Sequence, residues 1–237
     1  MMTLDHPIRR HLVLTREQCT SVVKTICALE SHWVQRAEGI DFYTLGAASY
    51  LDGASDADVY KVRSGRDNAL LKASFAELYS NLCLVLTAAY GPVRFHPQLA
   101  LPGFHIFAPR PGHGLLPGTQ AFARAGGSVH VDLQYRLHGS LWQGFERIDW
   151  ARPLSFTLAL ALPACGGGLR IWPRTTGVTE AEPAQAEEVF YRQGELVSFT
   201  EPLLHQIAPA AALEAGDQRI TLQGHGLCCD GTWQLYF

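Results

Sequence analysis

Residues 128–135 read SVHVDLQY. Val129, Val131 and Leu133 alternate as the apolar face of a strand would, and the opposite face carries His130 and Asp132. In a strand the side chains at i and i+2 point the same way, roughly 6–7 Å apart along the chain, so an imidazole and a carboxylate placed there are able to hold one object between them. Alone, the pair reads as an ordinary hydrogen-bonded couple on a solvated face, since HxD occurs often by chance.

The surrounding chain gives that strand its context. From about residue 100 onward Gly and Pro recur, and apolar runs shorten to lengths typical of strands, with β-branched and aromatic content. Candidate strands are 103–108, 128–134, 154–161, 168–172, 187–191, 195–200, 204–208, 218–225 and 232–236, a pattern that predicts a sandwich or closed barrel of the jelly-roll kind. Residues 108–127, APRPGHGLLPGTQAFARAGG, lack periodicity and are long for a connection, as functional lids are. Upstream, Thr15 and Gln18 form the signature of a capping box. The stretch to about Ala37 spaces Val22, Val23, Ile26, Leu29 and Trp33 at helical intervals. A second helical pattern runs from about Asn68 to Ala89 and stops at Gly91 and Pro92. The expected architecture is mainly β with N-terminal helices in a single domain, 1–237, with 1–99 as helical buttress and flanking strands and 100–237 as the β core.

Composition narrows the function. The 237 residues are 47% hydrophobic and 17% charged, the balance of a folded chain. Nineteen Lys and Arg against 22 Asp and Glu give a net charge of −3, and no basic run interleaves with aromatics, which argues against nucleic acid as a partner. No window approaches the roughly 18 apolar residues of a membrane span, and the start lacks the apolar stretch of a secretory signal, so a cytoplasmic location is expected. The six cysteines show no CxxC pair and no zinc spacing and read as reduced thiols.

Two further stretches join the first. In 194–209, GELVSFTEPLLHQIAP, a strand and a proline turn precede His205; in 217–226, DQRITLQGHG, Arg219, Thr221, Gln223 and His225 share one strand face while Ile220 and Leu222 share the other. Two neutral imidazoles and one carboxylate suit a divalent metal. Occupying one face of an octahedron, they leave positions open for chemistry, as in non-haem Fe(II) oxygenases. Arg219 offers a planar, permanently charged fork for a carboxylate, and Thr221 adds a hydroxyl beside it.

With these residues in this order, the sequence resembles the Fe(II)- and 2-oxoglutarate-dependent oxygenase superfamily, particularly its prolyl-hydroxylase-like bacterial members. His205 follows Asp132 by 73 residues and Arg219 follows His205 by 14. GGGLRIWP, residues 166–173, is similar to the Gly-Gly turn and strand that the family places between the triad halves. The resemblance covers roughly residues 100–227. It implies a double-stranded β-helix (jelly-roll, cupin-like) core buttressed by helices. It implies His130, Asp132 and His205 as iron ligands, and Arg219 with Thr221 on the distal carboxylate of 2-oxoglutarate. His105 or Phe107 would line the co-substrate pocket, where many relatives carry a tyrosine. The implied reaction consumes O2 and 2-oxoglutarate, releases succinate and CO2, and hydroxylates an unactivated C–H bond. Asp132 matters to that outcome, since halogenating relatives replace the carboxylate with a small residue.

The substrate is expected to be a small molecule, amino acid or peptide. Arg110, His113 and Arg124 in the long loop favour an anionic group, and Arg170 and Trp172 are candidates to face the cavity. Three rival readings stay open: a cupin-like metal-binding protein without redox turnover, a non-haem iron oxygenase in which a substrate carboxylate uses Arg219 and Thr221, and a non-catalytic interaction domain.

Overall fold

The computed structural model describes residues 6–52, 57–172, 186–210 and 217–237. Strand β1 (Arg9–Leu12) leads into helix α1 (Arg16–Ala28). The capping box forms: Thr15 Oγ1 accepts from Gln18 N at 3.3 Å and Gln18 Oε1 accepts from Thr15 N at 2.8 Å. The helix is shorter than its apolar spacing predicts. The Trp33 indole folds back and donates to the Ile26 carbonyl at 3.0 Å, satisfying the open C-terminal turn, and a 3-10 turn at Glu30–His32 leads the chain into β2 (Val34–Gln35).

After β3 (Phe42–Leu45) and the short α2 (Ser49–Asp52) come two helices where the sequence pattern predicts one, α3 (Ala57–Ser74) and α4 (Ala76–Tyr90). The break falls at Phe75, whose backbone leaves the helical region while its ring buries against Phe104 at 4.7 Å. Tertiary packing sets the joint, bending the pair by 93°. Among the described residues no single helix is long and apolar enough to cross a membrane.

The remaining elements are β4 (Val93–Phe95), β5 (Gly103–Phe107), α5 (Thr119–Ala125), β6 (Leu154–Ala161), β7 (Leu169–Trp172), β8 (Glu187–Val189), β9 (Glu195–Phe199), β10 (Leu204–Ile207), β11 (Arg219–Cys229) and β12 (Thr232–Tyr236). A large sheet has the order β1-β9-β6-β11-β5-β3-β2, with β12 on β11 and β4 parallel to β12; a small antiparallel sheet has the order β10-β7-β8. This is a mainly β, jelly-roll architecture buttressed by helices. One face of the large sheet packs under α1, α3 and α4 through Phe104, Ile106, Leu158, Ile220 and Leu222. Each such side chain contributes about 1.5–3 kcal/mol by leaving water. The strand period of two then turns His105, Phe107, Arg219, Gln223 and His225 to the opposite face.

Two further sequence expectations change. Residues 128–134 are not a strand: His130 makes one isolated bridge to His205, and the chain then turns into a 3-10 segment, Gln134–Trp142. Strand composition is present, but past His130 the chain has no neighbouring strand to pair with. The Trp142 indole donates to the Tyr135 carbonyl at 2.9 Å and holds the turn instead. The loop of residues 108–127 also contains a helix, α5, followed by Gly126 at φ +76°, where a side chain would lie 2.5 Å from the Ile207 carbonyl.

Candidate metal centre and its cavity

His130 and His205 meet because their backbones exchange two hydrogen bonds of 2.9 Å. The ring centroids are 4.4 Å apart. Each ring also approaches a carbonyl through Nδ1, Ser128 O for His130 and Leu203 O for His205, both at 2.8 Å. A carbonyl only accepts, so each Nδ1 carries the proton and each Nε2 presents a lone pair.

Those lone pairs converge on Asp132. His130 Nε2 lies 3.6 Å from Oδ1 and His205 Nε2 lies 3.5 Å from Oδ2. Ser155 on β6 donates its hydroxyl to Oδ2 at 2.6 Å and Gln134 donates its amide nitrogen to Oδ1 at 2.9 Å. Burial would raise the Asp132 pKa, but His225, His205 and these two hydrogen bonds outweigh it and hold the carboxyl below its ordinary range. Burial keeps His205 and His225 below the usual histidine value. One ionised carboxylate and two imidazoles with bare Nε2 atoms, all ligand atoms within 4.8 Å of one another, fit a divalent ion and leave its remaining positions open.

The cavity beside this group measures about 360 Å³ and reaches Arg219 at the start of β11. Arg219 is 5% exposed. Its Nε donates to the Gly167 carbonyl at 2.7 Å, and its guanidinium carbon lies 5.5 Å from the Phe107 ring and 5.8 Å from the Tyr191 ring. Gly167 adopts φ +72°, and a side chain there would crowd the Arg219 Cδ at 3.3 Å. Nη1 has no partner, and no carboxylate stands against this buried cation among the described residues. Thr221 Oγ1, His105 Nδ1, Gln223 Oε1 and His225 Nδ1 are buried without hydrogen-bond partners as well, His225 Nδ1 lying 3.7 Å from Asp132 Oδ2. An uncompensated charge costs several kcal/mol in such surroundings, which an anionic ligand would relieve.

This architecture recurs among solved structures. An N-substituted L-amino acid dioxygenase from Burkholderia ambifaria AMMD, one of whose structures is a complex with α-ketoglutarate, superposes with a TM-score of 0.57 over 98% of this chain and 87% of that chain, at 12% identity. The chain has this dioxygenase's fold. A prolyl-4-hydroxylase from Pseudomonas putida aligns over 98% of this chain and 94% of that chain at 16% identity, with a TM-score of 0.42. No protein-family model and no curated protein matches the sequence.

Within the dioxygenase fold, His130, Asp132, His205, Arg219, His105 and Phe107 line one cavity. Thr221 pairs with His105 across β11 and β5 and is fully buried on the same face. The other candidates lie elsewhere. Arg110 pairs with Glu30 at 3.0 Å and lies over the Tyr43 ring, and His113 and Arg124 are exposed. On β7 the parity is the reverse of the one anticipated. His205 pairs with Ile171, and Leu169 and Ile171 face inward, which turns Arg170 outward to Glu188 at 2.9 Å and takes Trp172 with it. Sequence reasoning missed Tyr50, whose hydroxyl shares a 2.5 Å hydrogen bond with His105 Nε2, and Tyr191 and Gln134. Only Gln134 carried a signal, standing two residues after Asp132.

Proposed function

We propose that the protein is an Fe(II)- and 2-oxoglutarate-dependent dioxygenase that hydroxylates an unactivated C–H bond of a small molecule. The observation that carries this reading is the buried, uncompensated Arg219 guanidinium in the same cavity as three metal-ligand atoms. A metal site alone fits many proteins; a metal site facing a buried cation fits a ligand that chelates with one end and carries an anion at the other.

In this reading His130 Nε2, His205 Nε2 and Asp132 hold Fe(II), Arg219 and Thr221 receive the distal carboxylate of 2-oxoglutarate, and His105 and Phe107 flank it. Iron with 2-oxoglutarate and O2 supplies an oxidant strong enough to take hydrogen from a C–H bond, yielding succinate and CO2. The chain's own work is positional. The Nδ1 hydrogen bonds fix the two imidazoles, Ser155 and Gln134 fix the carboxylate, and Phe42, Phe107 and Phe122, stacked at 4.4–6.2 Å, keep an apolar wall against water. Asp132 takes up the position a halide would need, which favours hydroxylation.

Anaerobic Fe(II) loading followed by 2-oxoglutarate tests the reading. A visible metal-to-ligand charge-transfer band that is absent in His205→Ala, with succinate formed on admitting oxygen, is the expected result. Bound iron without the band would sink it.

A further inference from the structure

The cavity also constrains the substrate, on the assumption that 2-oxoglutarate occupies Arg219. No second cationic side chain lines the cavity among the described residues, since Arg110 and Arg170 are tied to Glu30 and Glu188 outside it. An anionic substrate would therefore enter with nothing to neutralise it and with Asp132 nearby. The side chains left for it are mainly apolar: Phe42, Leu51, Phe122, Leu169 and Ile207.

Several polar atoms on the cavity-lining residues lack hydrogen-bond partners, Gln223 Oε1, His105 Nδ1 and His225 Nδ1 among them, and Gln134 Oε1 is the one whose role is fixed by a metal ligand. Gln134 gives its amide nitrogen to Asp132 Oδ1, and a carboxylate that holds a metal only accepts, so the amide cannot be reversed. Gln134 Oε1 is thereby fixed as an acceptor; it is buried, has no partner, and belongs to a residue that lines the cavity. A buried acceptor of this kind favours a ligand that brings a donor and penalises one that does not.

We propose that the substrate is an uncharged molecule with an apolar body that packs on Phe42, Phe122 and Ile207 and an amide N–H or hydroxyl that Gln134 Oε1 receives. Gln134 is then a specificity-determining residue: one end of its amide orients the Asp132 ligand while the other selects the substrate.

Three probes on one frame test this by calorimetry on the Fe(II) protein with 2-oxoglutarate, without oxygen: phenylacetamide, methyl phenylacetate and phenylacetate. The amide should bind about ten-fold more tightly than either the ester, which lacks the donor, or the anion. In Gln134→Met saturated with Fe(II), the ratio of amide to ester affinity should fall to about one. Tightest binding by phenylacetate, binding by none of the three, or an amide preference kept in Gln134→Met would overturn the inference. The charge-transfer band is read on the same samples. A protein that forms it and yet prefers the anion refutes the substrate class alone; one that forms no band refutes the proposed function and this inference with it, because Arg219 then remains open to an anion.

Discussion

The Ser155 hydroxyl donates to Asp132 Oδ2 at 2.6 Å, joining a residue on the large sheet to the carboxylate that sits between the two histidines. Ser155 belongs to β6, so the carboxylate is anchored to a strand buried along its whole length. Its loss would free a carboxylate rotamer without emptying the site. Ser155→Ala should retain the fold and weaken Fe(II) binding by about 10- to 100-fold, the usual cost of deleting a partner behind a metal ligand. A metal titration with a chelating competitor reads this, and unchanged affinity would mean that Asp132 is held by Gln134 alone.

Arg219 separates function from stability. It is a buried cation with no counter-ion among the described residues, and such a charge is held at the expense of the empty protein's stability. Arg219→Met keeps the packing between Phe107 and Tyr191 and removes the charge. Thermal unfolding without co-substrate should stay level or improve by roughly 1–4 kcal/mol. The 2-oxoglutarate requirement should rise by about a hundred-fold or more, because charge-assisted hydrogen bonds to a carboxylate are lost. A large fall in stability together with unchanged co-substrate affinity would assign Arg219 a structural role.

Asp52 should govern acid stability. Its carboxylate accepts from Arg36 at 2.7 and 2.8 Å, from Arg63 at 2.8 Å and from the Ala48 N–H at 2.8 Å. Burial alone would raise its pKa, but Arg36, Ala48 and Arg63 outweigh that and lower it. A depressed folded value means that the stabilisation is present above the unfolded value, about 3.9, and is lost as pH falls through the folded one. The Asp52 contribution to stability should therefore hold from neutral pH down to about 4 and decline below it. Asp52→Ala should lose roughly 3–5 kcal/mol at neutral pH, since Arg36 is left buried and unpaired, and much of that gap should close in acid. Denaturant unfolding at neutral and acid pH gives both numbers; a gap that does not change with pH would point to lost packing instead of lost charge.

The parts of this site that were legible in the sequence share one property: a clean period of two. On β11 the alternation of Arg219, Thr221, Gln223 and His225 with Ile220 and Leu222 assigns every side chain to its face, because one face is covered by helices and the other is polar. On β7 the same reasoning fails. Leu169, Ile171 and Trp172 are all apolar and all buried, so hydrophobicity does not mark the inner face, and only the pairing of Ile171 with His205 reveals it. The HxD segment carries strand residues without a strand's neighbour, and the joint at Phe75 has neither Gly nor Pro to announce it. Tyr50 reaches His105 from α2, an element four residues long with too little sequence to show a period.

Asp41 should control the wall that α5 puts over the cavity. Its carboxylate accepts from the Leu116 N–H at 2.7 Å, the Thr119 hydroxyl at 3.1 Å and the Tyr43 hydroxyl at 2.9 Å, and its own N–H donates to Thr119 Oγ1 at 2.8 Å. These bonds tie the start of α5 to β3, and α5 in turn carries Phe122 against Phe107 at 5.5 Å. A seven-residue helix is too short to persist without such anchors. Asp41→Ala removes three acceptor contacts and leaves β3 paired with β5, so the damage should be local. Amide exchange should quicken by about ten-fold or more across residues 116–125, and strand β6, remote from the anchor, should keep its protection. If exchange accelerates uniformly through β6 as well, Asp41 supports the whole fold. If 116–125 does not change, α5 is held by its aromatic contacts and the wall does not depend on this latch.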